Sequence, residues 1–453
     1  MLRLPFTAPS LVTATLVAAS LVGCAGSEGE TPNPDPVDDG ALTYADDTGP
    51  LMQRACVSCH QEGGIGPFAL DNYDAVSEWA EASLAAMQAR TMPPWGVVDD
   101  GSCRDFRDSR WLDDADIEMF AAWIDDGKAQ GDADATFDDE TPVLQQLDGT
   151  TASYNTPTFF PEAEGTVIAQ NDEYRCFRID PALTSTQFLT GYDVIPGNQK
   201  TVHHVLVMPV DPAGIGGGGR TNDEVMTDLD EQSPDRLGWP CFGAAGDGVA
   251  INGIPVSWAP GQGAVNYPDG TGVRVEAGEE LVVQVHYNLI DPADVGSSDS
   301  TEVVLEWADS VEKEGWFVLP DALLESLANF PLIDRIPAGE TAYNYSFTRS
   351  FGDMIFGSEA KLWGVMPHMH EKGKAQTFDV VQADGTEVCA SRVDRWDFNW
   401  QGFYMFEEPI DVTTGDEARI TCVYDTSGDT EDTLPGWGTT SEMCLVVMFL
   451  TEP

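Results

Sequence analysis

The chain is poor in histidine and in basic residues. Of its 453 residues only 6 are histidine, and 22 lysines and arginines stand against 77 aspartates and glutamates. The formal charge of −55 argues against a nucleic-acid partner, because the phosphates would be repelled. Beyond the first 24 residues the sequence also lacks an apolar run long enough for a membrane helix. These absences predict a strongly solvated surface and make the few histidines informative.

The start of the chain has the pattern of a bacterial lipoprotein signal. Arg3 precedes an apolar run from Leu11 to Val22, which is too short to span a bilayer. The run ends in Leu-Val-Gly-Cys, so Cys24 is the predicted lipidation site, with an ordinary signal peptide as the alternative. Residues 25–42 predict a disordered acidic linker. We therefore expect an exported, membrane-anchored lipoprotein that faces the periplasm or the cell exterior, where spare thiols pair.

All six histidines fall in short motifs with the spacing of metal ligands. The motifs are CVSCH with His60, TVHHVLV with His203 and His204, QVHYN with His286, and MPHMH with His368 and His370. Neutral imidazole is the commonest metal ligand among side chains. A single histidine pair is more often structural, but the use of the whole complement indicates a redox metalloprotein with a haem and two further metal ions.

Residues 43–135 are predicted to form a small all-α cytochrome c-like domain, which a linker over 136–152 joins to the rest. Within it, residues 113–127 carry apolar side chains every three or four positions, and this spacing predicts an amphipathic helix. Asp113 or Asp114 can cap the start of that helix and Gly127 its end.

The motif Cys56-Val57-Ser58-Cys59-His60 is the attachment signature of c-type haem, in which two thiols bond to the haem and the imidazole ligates iron. The rival interpretations are a redox CxxC and half of a zinc site, but no second CxxC exists for zinc. No histidine is spare for the other axial position. Met92, which two prolines hold in an extended loop, is therefore the predicted second axial ligand.

From residue 153 onward, short apolar or alternating runs are separated by Gly, Pro, Asp and Asn, which predicts antiparallel β-sandwiches. The length predicts two all-β sandwich domains, over 153–310 and 311–453. The predicted strands are residues 166–169, 201–208, 273–276, 281–287, 301–305, 361–365, 378–381, 418–423 and 444–450. Residues 216–219, all glycine, predict a mobile loop and not a phosphate cradle, because no strand-to-helix context is predicted there.

The period of a strand constrains the histidines. His368 and His370 are two residues apart, so on a strand both imidazoles project from one face and can hold one ion. Gln284 shares a face with His286 for the same reason. His203 and His204 are adjacent and point opposite ways, so joint ligation needs a strand end or a bulge; otherwise only one of them binds metal.

Four motifs in the β half resemble, in order, those of the copper type II, ascorbate-dependent monooxygenases, the family of the peptidylglycine and dopamine hydroxylases. They are TVHHVLV, QVHYN, MPHMH and Ser441-Glu442-Met443-Cys444. The resemblance implies two jelly-roll-like sandwiches with a solvent cleft between two coppers. It implies His203, His204 and His286 as ligands of an electron-transfer copper, and His368, His370 and Met443 as ligands of a catalytic, oxygen-binding copper.

The chemistry of the donors agrees with copper. Three imidazoles suit zinc or copper, but a thioether beside two imidazoles favours Cu(I). Blue copper needs a thiolate, and the cysteines have other predicted uses. The resemblance implies two disulfides, Cys176–Cys241 and Cys422–Cys444. Cys103 and Cys389 then remain, and they either join the haem domain to the second sandwich or stay free.

The predicted substrate region departs from the family. Met366 stands where the peptide hydroxylase has a carboxylate-binding arginine, and Leu445, Val447 and Phe449 replace polar and aromatic side chains. Two positions do match family residues near substrate or copper: Tyr174 and Gln284. These departures predict a small organic substrate that is less polar than a peptide C-terminus.

The sequence therefore predicts an exported copper monooxygenase that hydroxylates a C–H bond with O2. Its electrons come from ascorbate, as the family implies, or from a periplasmic or quinol-linked donor through its own haem. The alternative is a non-catalytic cytochrome lipoprotein that binds copper or carries electrons and needs no substrate pocket. A zinc hydrolase is a weaker alternative, because no carboxylate general base accompanies the histidine motifs.

Overall fold

The computed structural model describes residues 40–61, 66–137, 146–163, 172–241, 245–258, 262–289, 296–320, 334–398, 400–436 and 441–453. Leu42–Pro453 form one unit. The predicted lipidation site Cys24, and the predicted strand at 166–169, lie outside the described residues. None of the described helices is both long and apolar enough to cross a membrane.

Helices dominate the described part of the segment before residue 137. They are α1 (Gly49–Ala55), preceded by a π-helical turn at Tyr44–Thr48, α2 (Tyr73–Gln88) and α3 (Asp114–Asp125). The helix predicted over 113–127 is thus confirmed as α3: Asp113 occupies its N-cap position, although without a side-chain cap bond, and Gly127 follows its end with a φ of 93°. The apolar faces of these helices meet in one cluster that includes Leu51, Val76 and Phe120.

The rest of the described chain is mostly β-structure. Its elements are β1 (Thr150–Asn155), β2 (Asp172–Ile179), β3 (Gln187–Ile195), β4 (Val202–Val210), α4 (Asn222–Glu231), β5 (Trp239–Pro240), β6 (Val256–Trp258), β7 (Val265–Asn266), β8 (Thr271–Val275), β9 (Glu280–Asn288), β10 (Glu302–Ala308), β11 (Lys313–Val318), β12 (Tyr343–Ser350), β13 (Glu359–His368), β14 (Gly373–Val381), β15 (Glu387–Val393), β16 (Tyr404–Thr413), β17 (Glu417–Tyr424) and β18 (Leu445–Thr451). Every predicted strand within the described residues has a counterpart here. The first strand begins inside the segment that was predicted as a linker.

A phosphate cradle at residues 216–219 was excluded because no strand-to-helix context was predicted there, and that reason was wrong. A strand, β4, precedes these glycines and a helix, α4, follows them, and Gly217–Gly219 form a 3₁₀ turn. Thr221 and Glu224 form a capping box at the start of α4, in which each side chain accepts a hydrogen bond from the other residue's backbone N–H. This Thr-x-x-Glu signal was present in the sequence.

The β-strands form two sandwiches that share one sheet. A five-stranded sheet of order β5-β2-β9-β4-β6 and a four-stranded sheet of order β12-β17-β14-β15 belong to the first and second halves. A nine-stranded sheet contributes to both cores and contains strands from before and after residue 310, because β11 pairs with β8 on one side and with β18 on the other. The two sandwich domains that were expected to separate near residue 310 therefore share one continuous sheet.

Three disulfides are present among the described cysteines. Two of them, Cys176–Cys241 and Cys422–Cys444, are the pairs that the resemblance implied, and the third is Cys103–Cys389. The last pair resolves the alternative left by the sequence, since it joins the segment between α2 and α3 to β15. Backbone hydrogen bonds reinforce this connection: Val98 N–H donates to the Arg392 carbonyl at 2.8 Å and Arg107 N–H to the Met405 carbonyl at 2.8 Å.

Candidate metal centres

His203, His204 and His286, called here the three-histidine cluster, lie together on the five-stranded sheet. His204 in β4 is the register partner of His286 in β9. The register shifts between Val202 and His204, which is the irregularity that two adjacent histidines need in order to face one point. The Nδ1 atom of His286 lies 3.1 Å from Nδ1 of His203 and 3.1 Å from Nδ1 of His204.

Burial favours the neutral form of two of these imidazoles, those of His204 and His286. It lowers the pKa of His204 and of His286 well below the usual value, and the neighbouring histidines lower both pKa values further. A neutral imidazole offers a lone pair, which is the form that binds a metal ion. The converging nitrogen atoms of the three-histidine cluster therefore fit a copper or zinc ion.

Residues around the three-histidine cluster orient its rings. The Nε2 atom of His286 lies 2.9 Å from a carboxylate oxygen of Asp172, and Tyr174 stacks on the His286 ring at 4.0 Å. Gln284 bonds to His204 and donates to the Cys241 carbonyl at 2.7 Å. A carboxylate on the far nitrogen fixes a ligand's tautomer and orientation. Sequence reasoning singled out Tyr174 and Gln284 but missed Asp172, which carries no local signal.

His368, His370 and Met443, called here the His-Met cluster, lie at the ends of β13 and β18. His368 is the last residue of β13, and His370 lies beyond it, so the prediction that both share a strand face was wrong. The chain bends because the carboxylate of buried Glu442 accepts the His370 N–H at 2.8 Å and the Lys372 N–H at 2.7 Å. The two imidazole rings nevertheless lie 5.2 Å apart.

Each ring of the His-Met cluster is held through its Nδ1 atom, which leaves Nε2 for a ligand. His368 Nδ1–H donates to Gln401 Oε1 at 2.5 Å and His370 Nδ1–H to the Ser441 carbonyl at 3.0 Å. Burial, followed by the His370 charge, lowers the pKa of His368 to about 3. Sequence reasoning missed Gln401 and gave Glu442 no role, because both act through a loop whose course the sequence does not reveal.

The side chains of Met443 and Cys444 point in opposite directions, as predicted. The Met443 side chain is 1% exposed and belongs to a small apolar cluster with Met366, Leu445 and Val447. Cys444 lies in the core of the second sandwich and is bonded to Cys422. A thioether beside two imidazoles fits Cu(I) better than zinc or magnesium.

One cavity, called here the shared cavity, touches both clusters. His204 lines it from the first sandwich, and His368, His370 and Met443 line it from the second. Its other lining residues are mostly apolar: Tyr174, Leu206, Ile254, Ser257, Gln284, Leu319, Met366, Phe398, Gln401, Leu445 and Val447. Phe449, expected near the substrate, lies elsewhere, since it is packed against Tyr267 and Phe317 in the first core.

A second cavity, called here the CxxCH cavity, brings together Cys56, Cys59, His60 and Met92. Both thiols are free, and the walls are mostly apolar. His60 Nδ1–H donates to the Phe68 carbonyl at 3.0 Å, which leaves Nε2 directed to a ligand. Two free thiols, an oriented imidazole and a thioether on one apolar cavity fit a covalently attached haem.

Gly66 lies directly against the His60 ring. A β-carbon at this position would come within 2.7 Å of His60 Nδ1, so only glycine permits this approach. The other methionines of the segment contribute to its core: Met52 and Met87 are 1% and 2% exposed, and Met119 packs at the edge of the core.

Comparison with known families supports copper chemistry. Residues 336–451 match the family described as copper type II ascorbate-dependent monooxygenase, C-terminal domain. This match contains every residue of the His-Met cluster.

Three curated relatives cover more of the chain. Putative DBH-like monooxygenase protein 2 of Homo sapiens is 24% identical over 262 residues, 56% of this chain and 47% of its own. Dopamine beta-hydroxylase of Rattus norvegicus is 24% identical over 56% of this chain and 38% of its own. Peptidylglycine alpha-amidating monooxygenase of Rattus norvegicus is 24% identical over 64% of this chain and 26% of its own. The chain thus spans less than half the length of these relatives.

Similarity to solved structures is weak. The major capsid protein P2 from Bacteriophage PM2 covers 66% of this chain and 97% of its own, at 10% identity and a TM-score of 0.24. That score is too low to support a shared fold.

Proposed function

We infer that this chain belongs to the copper type II, ascorbate-dependent monooxygenases and hydroxylates a C–H bond of an organic molecule with O2. The observation that carries this inference is the shared cavity, where an all-imidazole cluster and a His-Met cluster meet across an apolar space. A copper carrier needs no such space between its sites. The relatives named above have hydroxylating or monooxygenase names, and the family match covers the His-Met cluster.

The two clusters have separate roles in this proposal. His203, His204 and His286 would hold one copper, and His368, His370 and Met443 the other. Bound copper supplies one-electron chemistry and the activation of O2. The protein supplies imidazoles, the orienting bonds from Asp172, Gln401 and Ser441, and a mostly apolar cavity.

The walls of the shared cavity indicate the substrate class. Met366, Leu445 and Val447 offer no hydrogen bond to a charged group, and burying an unpaired carboxylate there would be costly. Ser257 and Gln401 are among the polar residues that line this cavity, and the Ser257 hydroxyl donates to Met366 Sδ at 3.4 Å. The proposed substrate is therefore an uncharged or weakly polar molecule with an accessible C–H bond, and not a peptide with a free C-terminal carboxylate.

The segment before residue 137 would carry a c-type haem on Cys56 and Cys59, with His60 and Met92 as axial ligands. Electrons would arrive from ascorbate or from a periplasmic or quinol-linked donor. Cys24 would anchor the exported protein to a membrane. The mainly apolar lining of the CxxCH cavity, and the His60 bond to the Phe68 carbonyl, support the haem assignment.

Metal analysis and oxygen labelling test this function together. Purified protein should contain about two coppers and one haem iron per chain. With ascorbate and ¹⁸O₂ it should place label in an uncharged benzylic probe and little in a glycine-extended peptide. A protein whose two coppers are reduced by ascorbate, but which neither labels a probe nor consumes O2, would be a carrier and not an enzyme.

A further inference from the structure

One residue of the second sandwich lines the CxxCH cavity. Trp400, in the connection between β15 and β16, borders it together with Cys56, Cys59, His60 and Met92. All other described lining residues of that cavity belong to residues 55–110. Among the described residues, Trp400 is therefore the one at which the second sandwich reaches the CxxCH motif.

The next residue, Gln401, lines the shared cavity and contacts a candidate copper ligand. Its Oε1 accepts a hydrogen bond from His368 Nδ1–H at 2.5 Å, while its Nε2 donates to the Phe398 carbonyl at 2.8 Å. The second bond fixes the orientation of the amide, so its oxygen faces His368. Two consecutive residues thus join the two cavities by covalent bonds and one short hydrogen bond.

Several bonds hold the segment before residue 137 against the second sandwich. The Cys103–Cys389 disulfide crosses it, and Gly96 N–H donates to the Tyr404 hydroxyl at 3.0 Å. Arg395 donates to the Arg90 carbonyl at 3.2 Å. A β-carbon on Gly96 would lie 2.7 Å from the Tyr404 oxygen, so the close approach depends on glycine. These bonds hold Trp400 in one place relative to the CxxCH motif.

The three-histidine cluster has no equivalent link among the described residues. No described residue that lines the CxxCH cavity belongs to β2, β4 or β9, the strands that carry this cluster and its supporting side chains. Among the described residues, the bonded path from the CxxCH cavity through Trp400 and Gln401 therefore leads to the His-Met cluster. Electron transfer weakens steeply when a bonded path is interrupted by a gap.

We propose that Trp400 and Gln401 form an electron-entry route from the CxxCH cavity to the His-Met cluster, which bypasses the three-histidine cluster. This inference rests on the proposed haem and copper occupancy. In the step, ferrous haem iron loses one electron and becomes ferric, and cupric copper at the His-Met cluster gains it and becomes cuprous. No bond or proton is transferred, and an external one-electron donor reduces the haem again.

The test follows the haem absorbance after a flash of photoreduction under anaerobic conditions, in the full-length protein with both coppers oxidised. A haem reduced by the flash should be reoxidised in a phase independent of protein concentration. That phase should persist in His286→Ala, which lacks the first copper, and should slow about tenfold or more in Trp400→Leu. Trp400→Phe should restore most of the rate, because it retains an aromatic ring.

Controls separate the route from mere folding. Trp111→Leu removes another tryptophan of the helical segment, which stacks on Arg90 but borders neither the CxxCH cavity nor the shared cavity. Its haem kinetics should match those of the wild type. Gln401→Leu keeps the tryptophan but removes the bond to His368, and it should also slow the phase. Freeze-quenched electron paramagnetic resonance should show that the cupric signal lost first is the one that Met443→Ala alters.

Two results would overturn the proposal, and they are distinguishable. If iron and copper are both present, but the phase disappears in His286→Ala and is unaffected by Trp400→Leu, the route runs through the three-histidine cluster. If metal analysis of the same sample finds no haem, the proposed haem function fails and the route fails with it.

Discussion

The two histidine clusters face the same cavity but are built on different kinds of backbone. The three-histidine cluster projects from β4 and β9, which are adjacent strands of the five-stranded sheet. His286 has a ladder partner on each side, Tyr174 in β2 and His204 in β4. The His-Met cluster lies where β13 ends and β18 begins, and a buried carboxylate and a loop amide hold it. The candidate ligand atoms of the three-histidine cluster are all nitrogen, whereas those of the His-Met cluster include the sulfur of Met443.

In the proposed function, this difference would give the two clusters different roles. A cluster fixed by a sheet and by Asp172 presents the same three nitrogens whatever the charge of the bound ion, which suits electron transfer. A cluster with a thioether and an apolar cavity in front of it favours the reduced ion and leaves room for a small molecule.

Replacing the thioether should have the largest effect. Met443→Ala removes a predicted copper ligand, so the rate of hydroxylation should fall about 100-fold or more, while the three-histidine cluster keeps its copper. Turnover and copper content of the same preparation check this. Met448→Leu is the matched control, because Met448 is fully buried on β18, five residues after Met443, and faces the core of the second sandwich. Equal loss of both coppers in Met443→Ala would contradict the separation of the two clusters.

Single replacements of the adjacent histidines decide whether both act as ligands. His203→Ala and His204→Ala should each remove the copper of the three-histidine cluster, because the register shift turns both rings toward His286. Copper quantification and electron paramagnetic resonance measure the loss. Should one variant retain two coppers with an unchanged spectrum, only the other histidine is a ligand.

Removing the carboxylate behind His286 should have an intermediate effect. Asp172→Asn should weaken copper binding at the three-histidine cluster about 10- to 100-fold and leave the His-Met cluster unchanged. The reason is that the Asp172 charge, which orients the His286 ring through Nε2, is lost. Titration against a competing chelator measures both affinities. Asp411→Asn is the control, since Asp411 forms only an exposed pair with Lys361. Equal weakening at both clusters would show that Asp172 acts on overall stability.

Opening the disulfide between the two regions should affect stability more than metal content. The double variant Cys103→Ser/Cys389→Ser should lower the free energy of unfolding by about 2–5 kcal/mol, because the unfolded chain loses a cross-link. Denaturant unfolding measures this, and copper content should stay unchanged. The double variant Cys422→Ser/Cys444→Ser should also lose the copper of the His-Met cluster, because Cys444 is adjacent to Met443. Identical behaviour of the two variants would contradict this distinction.

Much of the fold follows from sequence pattern alone, for a physical reason. Strands such as β9 and β18 are buried along most of their length and appear as continuous apolar runs. The strand β12 alternates between exposed and half-buried residues and lies at a sheet edge, so its apolar signal is weak and it was missed. The parallel pairing of β8 with β11, which makes the large sheet continuous, leaves no mark in either segment.

The candidate sites likewise contain residues that the sequence reveals and residues that it does not. The proposed ligands stand in compact motifs, so residue type and spacing were enough to select them. The residues that orient them are distant in sequence: Asp172 lies 114 residues from His286, and Gln401 lies 33 residues from His368. The position of His370 beyond the strand end depends on Glu442, whose contribution becomes visible only once β18 is placed beside β13.

X-ray absorption spectroscopy of the ascorbate-reduced, copper-loaded protein tests the central claim most directly. If copper occupies one all-imidazole cluster and one His-Met cluster, the average copper has about 2.5 nitrogen neighbours and 0.5 sulfur neighbours, and Met443→Ala abolishes the sulfur contribution. A fully loaded protein without any copper–sulfur scattering, or with a sulfur contribution that survives in Met443→Ala, would contradict the account.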